Sequence, residues 1–249
     1  MIKLEFDVHS DYLGSNKEVT VILPNPHTWE GDREPMKVLY LLHGLGDDHT
    51  FWSRRTNIED FVSDRNLMVV MPDGDVSWYC DMVHGKKYFS YLTEELPYFI
   101  KTMFNVSTKR EDTFIGGASM GGYGAFKAGM TCPEKYGKVF TYSAAVDLTV
   151  LQQWIDHDIM ENAMGPYEEA VKTNANSFIL AEEAKASGKE LPEVYIWCGT
   201  EDFLYQASIN LRDKLTELGI KHQYHECPGT HEWPCWNGAL PDTINWLLE

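Results

Sequence analysis

The chain predicts an α/β fold: a mostly parallel sheet with helices on both faces. Two observations carry this. Five runs, at 38–42, 67–71, 113–117, 139–145 and 194–198, are largely apolar, as in parallel strands buried on both sides. Helical patterns at 58–64, 92–104, 121–130 and 206–218 separate most of them. Apolar strands alternating with helices are the signature of a sheet covered on both faces.

Taken in order, residues 3–8 and 18–23 alternate weakly around a Leu13-Gly-Ser-Asn16 turn and read as an antiparallel start to the sheet. Strand 38–42 runs into His43-Gly44-Leu45-Gly46. Strand 113–117 runs into Gly117-Ala-Ser-Met-Gly121, which opens helix 121–130. Residues 148–190 break the alternation with amphipathic pieces at 148–159, 163–173 and 177–187. They read as a small cap above the strand ends or as an extended crossover. Strand 194–198 ends in Gly199-Thr-Glu-Asp202, strand 222–227 ends in Pro228-Gly-Thr-His231, and a helix at 240–248 closes the chain. With no repeat or linker, the expectation is one domain, 1–249, carrying an insertion at 148–190.

Asp and Glu number 38 against 21 Lys and Arg, a net charge of −17. A polyanion such as nucleic acid is repelled by such a surface. No apolar run approaches a membrane span, and the start carries no h-region, so the expected compartment is the cytoplasm. Five cysteines without CxxC spacing read as reduced thiols. Cys227 and Cys235 are close enough in sequence to bridge, but this is the weaker reading. His43, Asp47 and His49 match no strong zinc pattern. No metal or organic cofactor is expected, and self-association stays open.

Strand, G-x-S-x-G, helix is the context of a nucleophile elbow. The pattern alone arises by chance in about 0.08 of chains this long at ordinary Gly and Ser frequencies, so the case rests on its partners. An elbow serine, Ser119, needs a base, and the base needs an orienting acid. Asp202 and His231 both follow strand ends on the rim that carries the elbow. Glu201 adjoins Asp202 but points the other way in extended geometry. Asp147 also follows a strand and remains an alternative acid. His222 and His225 lie within a strand and face elsewhere. The backbone N–H of Met120, at the start of the helix, is one oxyanion donor. The N–H of Leu45, in the loop after 38–42, is the second, and His43 shapes that loop. Trp78 and Trp233 are the better candidates for substrate contact among Trp52, Trp78, Tyr79, Trp154, Trp233 and Trp236; most of these read as core.

These segments resemble the esterase D and tributyrin esterase group of α/β-hydrolases, which is related to feruloyl and acetyl esterases and to S-formylglutathione hydrolases. The resemblance is carried by Leu39–Trp52 with its His-Gly-Leu-Gly loop, Arg55-Thr-Asn57, Met71-Pro-Asp-Gly-Asp75, Ser77-Trp-Tyr79, Glu95-Leu-Pro97, Gly116–Ala125, Cys198-Gly-Thr-Glu-Asp202 and His231-Glu-Trp233. It spans nearly the whole chain. It implies hydrolysis of carboxylic esters with small acyl groups, with Ser119, Asp202 and His231 as the triad and Leu45 and Met120 as the oxyanion donors. Substrate choice carries over poorly, because members of the group vary in the region matching 148–190.

Overall fold

The computed structural model describes residues 1–25 and 34–249. Among the described residues, eight strands form one sheet. They are β1 (Ile2–Ser10), β2 (Ser15–Leu23), β3 (Lys37–Leu42), β4 (Leu67–Pro72), β5 (Thr113–Ala118), β6 (Lys138–Tyr142), β7 (Glu193–Gly199) and β8 (His222–Cys227). Their order across the sheet is β1-β2-β4-β3-β5-β6-β7-β8. The β1–β2 hairpin is antiparallel and joins β4 antiparallel; every pairing from β4 to β8 is parallel. This is the α/β-hydrolase arrangement expected from the sequence.

Alternation along β3 shows why both faces must be covered. Val38, Tyr40 and Leu42 enter one apolar cluster, and Leu39 and Leu41 enter the other. A strand apolar at every position is stable only with a layer on each side. The helices are α1 (Phe51–Arg55), α2 (Ile58–Val62), α3 (Tyr88–Ser90), α4 (Leu96–Met103), α5 (Met120–Thr131), α6 (Leu148–Leu151), α7 (His157–Met164), α8 (Tyr167–Ala170), α9 (Ser177–Ala186), α10 (Tyr205–Leu218) and α11 (Trp233–Leu248). The buried residues of α4, α5, α9 and α10 join the first cluster; those of α1, α2 and α11 join the second. Among the described residues, no helix is long and apolar enough to cross a membrane.

Several boundaries differ from the sequence reading, each for a physical reason. The single helix expected at 92–104 is α3, a π-turn at Tyr91–Glu95 and then α4. Pro97 has no N–H to offer the Thr93 carbonyl one turn back, and Lys135 Nζ takes that carbonyl at 2.8 Å instead. The last helix starts at Trp233 rather than 240. Pro234 lies in its first turn, where a missing N–H costs nothing, and packing of Trp236, Leu240 and Ile244 carries the helix through Pro241. The strand expected at 139–145 stops at Tyr142, because Ser143 turns to φ 45°. In 148–190 the pieces are shorter: Asp156 caps α7 through the Asp158 N–H, and Gly165 at φ 84° ends it. Helix α1 was not expected.

Candidate active site

Ser119 sits between β5 and α5 at φ 56°, ψ −118°. A non-glycine residue there is strained, and the surrounding backbone holds it. Its N–H donates to the Tyr142 carbonyl at 2.9 Å, and its own carbonyl accepts from Tyr123 and Ala145, both at 3.1 Å. The turn closes only because Gly121 has no side chain: a Cβ there would lie 2.3 Å from the Leu42 carbonyl and 2.7 Å from that of His43. Met120 is the first residue of α5, so its N–H has no acceptor within the helix, and the helix dipole favours negative charge beside it.

The loop after β3 lies against the elbow, and a Cβ on Gly44 would be 3.6 Å from the Ser119 Cβ. His43 shapes this loop from inside. It is 1% exposed. Its Nδ1–H donates to the Gly44 carbonyl at 2.8 Å, and its Nε2 accepts the Gly74 N–H at 2.8 Å. Those two partners select the neutral tautomer. The Tyr79 hydroxyl caps the His43 carbonyl at 3.1 Å. Beneath the loop, Asp73 is held by Lys17 Nζ at 2.9 Å and by the Asp75 N–H at 2.9 Å. Burial would raise the Asp73 pKa. The Asp75 N–H and the Lys17 ammonium outweigh it and hold the carboxyl well below its ordinary range.

Asp202 and His231 meet across two loops. Both carboxylate oxygens approach His231 Nδ1, at 3.0 and 3.1 Å. The carboxylate is fully buried and the imidazole is 19% exposed. One carboxylate oxygen also accepts the Leu204 N–H at 2.8 Å, which fixes its orientation. The loops touch because Gly199 is bare: a Cβ there would sit 2.3 Å from the Gly229 carbonyl oxygen. Glu201 stitches them from outside. It accepts the Gly229 N–H, and its own N–H donates to the Gly229 carbonyl at 3.0 Å. The Gly229 N–H, followed by the Thr200 hydroxyl, lowers the Glu201 pKa.

The imidazole connects to the elbow through packed groups. Its ring meets Trp236 edge-on at 5.0 Å. Trp236 Nε1 donates to Ser143 Oγ at 3.1 Å, and the same loop supplies the Ala145 N–H to Ser119. Asp147, the alternative acid, is committed elsewhere: it caps α6 through the Thr149 and Val150 N–H groups and accepts from Asn210 Nδ2 at 2.7 Å. His222 binds the Ile220 carbonyl, and His225 stacks on Tyr195.

Both tryptophans chosen for substrate contact need correction. Trp78 is fully buried against Tyr123. Its backbone turns inward at φ 55°, so it is core. Trp233 is 8% exposed and begins α11, packed on Phe51, Trp52 and Trp236. Trp52, Tyr79 and Trp236 are buried too. The aromatic wall beside the imidazole is Phe203, its ring 4.5 Å from that of His231. Trp154, 59% exposed, packs on Phe203 at 5.2 Å. Sequence reasoning missed Phe203, although its place directly after Asp202 was a signal.

With both His43 nitrogens engaged and His49 Nδ1 2.8 Å from Thr20 Oγ1, the His43, Asp47 and His49 grouping is not a ligand set. Among the described residues no three His, Cys, Asp or Glu side chains gather to hold a metal. All five cysteines are free thiols.

Comparison with known proteins agrees with this architecture. The Esterase family model matches residues 10–247. An acetyl esterase of Caldicellulosiruptor saccharolyticus is 27% identical, covering 100% of this chain and 99% of its own. Among solved structures, the fluorophosphonate-binding serine hydrolase FphF of Staphylococcus aureus superposes with a TM-score of 0.93 at 32% identity, covering 100% of this chain and 98% of that one. The S-formylglutathione hydrolase FrmB of the same organism gives 0.91 at 33%, with coverage of 100% and 99%. The chain belongs to the esterase family and is a carboxylic ester hydrolase.

Proposed function

We propose that this enzyme hydrolyses short-acyl or feruloyl and acetyl esters on carbohydrate-derived alcohols, through an acyl-enzyme on Ser119. The observation that carries the reading is the buried Asp202 carboxylate paired with His231 Nδ1 at 3.0 Å, on the same rim as a serine held at positive φ. That pairing leaves Nε2 as the basic nitrogen. Ser119 attacks the carbonyl as His231 removes its proton. The N–H groups of Leu45 and Met120 receive the oxyanion. His231 then protonates the leaving alcohol, and water releases the acid by the reverse roles.

The acetyl esterase relative supports a small acyl group. The Phe203 ring beside His231 and the Trp154 ring packed on it suit an aromatic acyl group or a sugar face. Residues 148–190, which carry Trp154, act as the cap of a single domain. Five unpaired cysteines suit a cytoplasmic setting. A second reading, thioester hydrolysis of S-formylglutathione type, is favoured by the similarity to FrmB.

A fluorophosphonate probe is expected to label the wild type and not Ser119→Ala. Equal labelling of both removes Ser119 as nucleophile. Comparing kcat/KM for acetyl, butyryl and feruloyl esters with that for the thioester separates the two substrate readings. A thioester preference overturns the first.

A further inference from the structure

A second cavity lies at the far end of the sheet from Ser119. It opens beside Thr113, six residues before the serine along β5 and so roughly 20 Å away. Its volume is about 290 Å³, the lower end of small-molecule sites at about 300 Å³. Its floor is Val38 and Tyr40 of β3, with Tyr136 from the loop after α5; α4 and Val106 form the sides.

Three features mark it as more than a packing defect. Tyr136 is 1% exposed, and its hydroxyl has no hydrogen-bond partner. An unpaired buried hydroxyl is unfavourable, so a group that satisfies it is stabilised there. Burial keeps the Tyr136 phenol protonated, and hence a donor, far above its ordinary pKa. The wall includes Thr93 and Glu94 of the π-turn, a feature that recurs at functional sites. The mouth has unbalanced charge. Lys135 is paired with Glu94 and Glu134 with Lys189. Lys101 lies over the Tyr98 ring at 5.3 Å, with no acidic partner among the described residues.

We propose that this cavity binds a small monocarboxylate with an apolar body. The carboxylate accepts the Tyr136 hydroxyl proton as a hydrogen bond and meets the Lys101 charge. The alkyl or aryl body lies on Val38, Tyr40 and Val106. This is the chemical class that ester hydrolysis releases, so the site is placed to sense product. It does not depend on the assignment of Ser119.

The test is calorimetric titration of fluorophosphonate-blocked enzyme with butyrate, benzoate and cinnamate, one at a time. Saturable binding to blocked enzyme is expected for at least one acid, weakened about tenfold by Lys101→Ala or Tyr136→Phe. Val106→Trp, which fills the cavity, is expected to abolish it. Lys101→Ala changes a surface side chain, so its result stands even if Val106→Trp fails to fold. Absence of binding to all three acids overturns the proposal. So does binding lost on fluorophosphonate blocking, or binding indifferent to Lys101→Ala and Tyr136→Phe.

Discussion

Single side chains here are fixed by hydrogen bonds whose removal has calculable cost. Asp202 holds His231 Nδ1 at 3.0 Å, and in the proposed mechanism it compensates the imidazolium that forms during attack. Asp202→Asn keeps the shape but offers an amide where a carboxylate stood, and the ring is then free to take the wrong tautomer. A loss in kcat of about 10⁴, the size seen for the same change in a serine protease, is expected, with little change in urea midpoint. Asp73 acts differently, through the base of the loop after β3. Its folded pKa lies below its unfolded value near 3.9. Its stabilisation is therefore complete above about pH 4 and is lost as pH falls towards the folded pKa. Asp73→Asn also leaves Lys17, 15% exposed, with Asp75 at 3.8 Å as its remaining charge partner. At pH 7 a loss of about 1–3 kcal/mol is expected. The gap between wild type and variant narrows as the pH falls below 4, which urea unfolding at pH 7 and pH 3 will measure.

At the scale of elements, the β5-turn-α5 unit is the tightest piece of the molecule. Replacing Gly121 by alanine drives a Cβ against two carbonyl oxygens of the β3 strand end and its loop, and backbone cannot rotate away as a side chain can. Overpacking of this kind costs about 1–3 kcal/mol or more. The loop beside Ser119 must also retreat. Gly121→Ala is expected to lower both the unfolding midpoint and kcat/KM; unchanged kcat/KM would show that the loop does not serve the reaction. This unit was legible in the residues because its glycines and serine have fixed spacing. The helix at 92–104 was legible only in part. Pro97 lies inside that pattern, but whether the chain kinks, stops or widens into a π-turn depends on Lys135, far along the chain, reaching the Thr93 carbonyl.

For the whole molecule, the decisive contact is between the β7 and β8 loops. Gly199→Ala pushes the Gly229 backbone outward and separates Asp202 from His231. A displacement near 1 Å costs about 10²-fold in rate. A drop of that order in kcat/KM, with slower fluorophosphonate labelling and a nearly native fold by circular dichroism, is the expected outcome.

The residues by themselves determined the α/β class, the strand order in time and the identity of Ser119, Asp202 and His231 as candidates. Each of those rests on local pattern: apolar runs, an elbow motif, polar residues at strand ends. Tertiary structure decided which acid faces the histidine, because Asp147 and Asp202 both follow strands and only packing shows one spent as a helix cap. It also decided which aromatics border the imidazole. Trp78 and Phe203 both lie in loops by sequence. A positive φ folds the first into the core, and the Asp202 turn sets the second against His231. Local pattern assigns a residue to an element, but what a side chain touches depends on how distant segments pack.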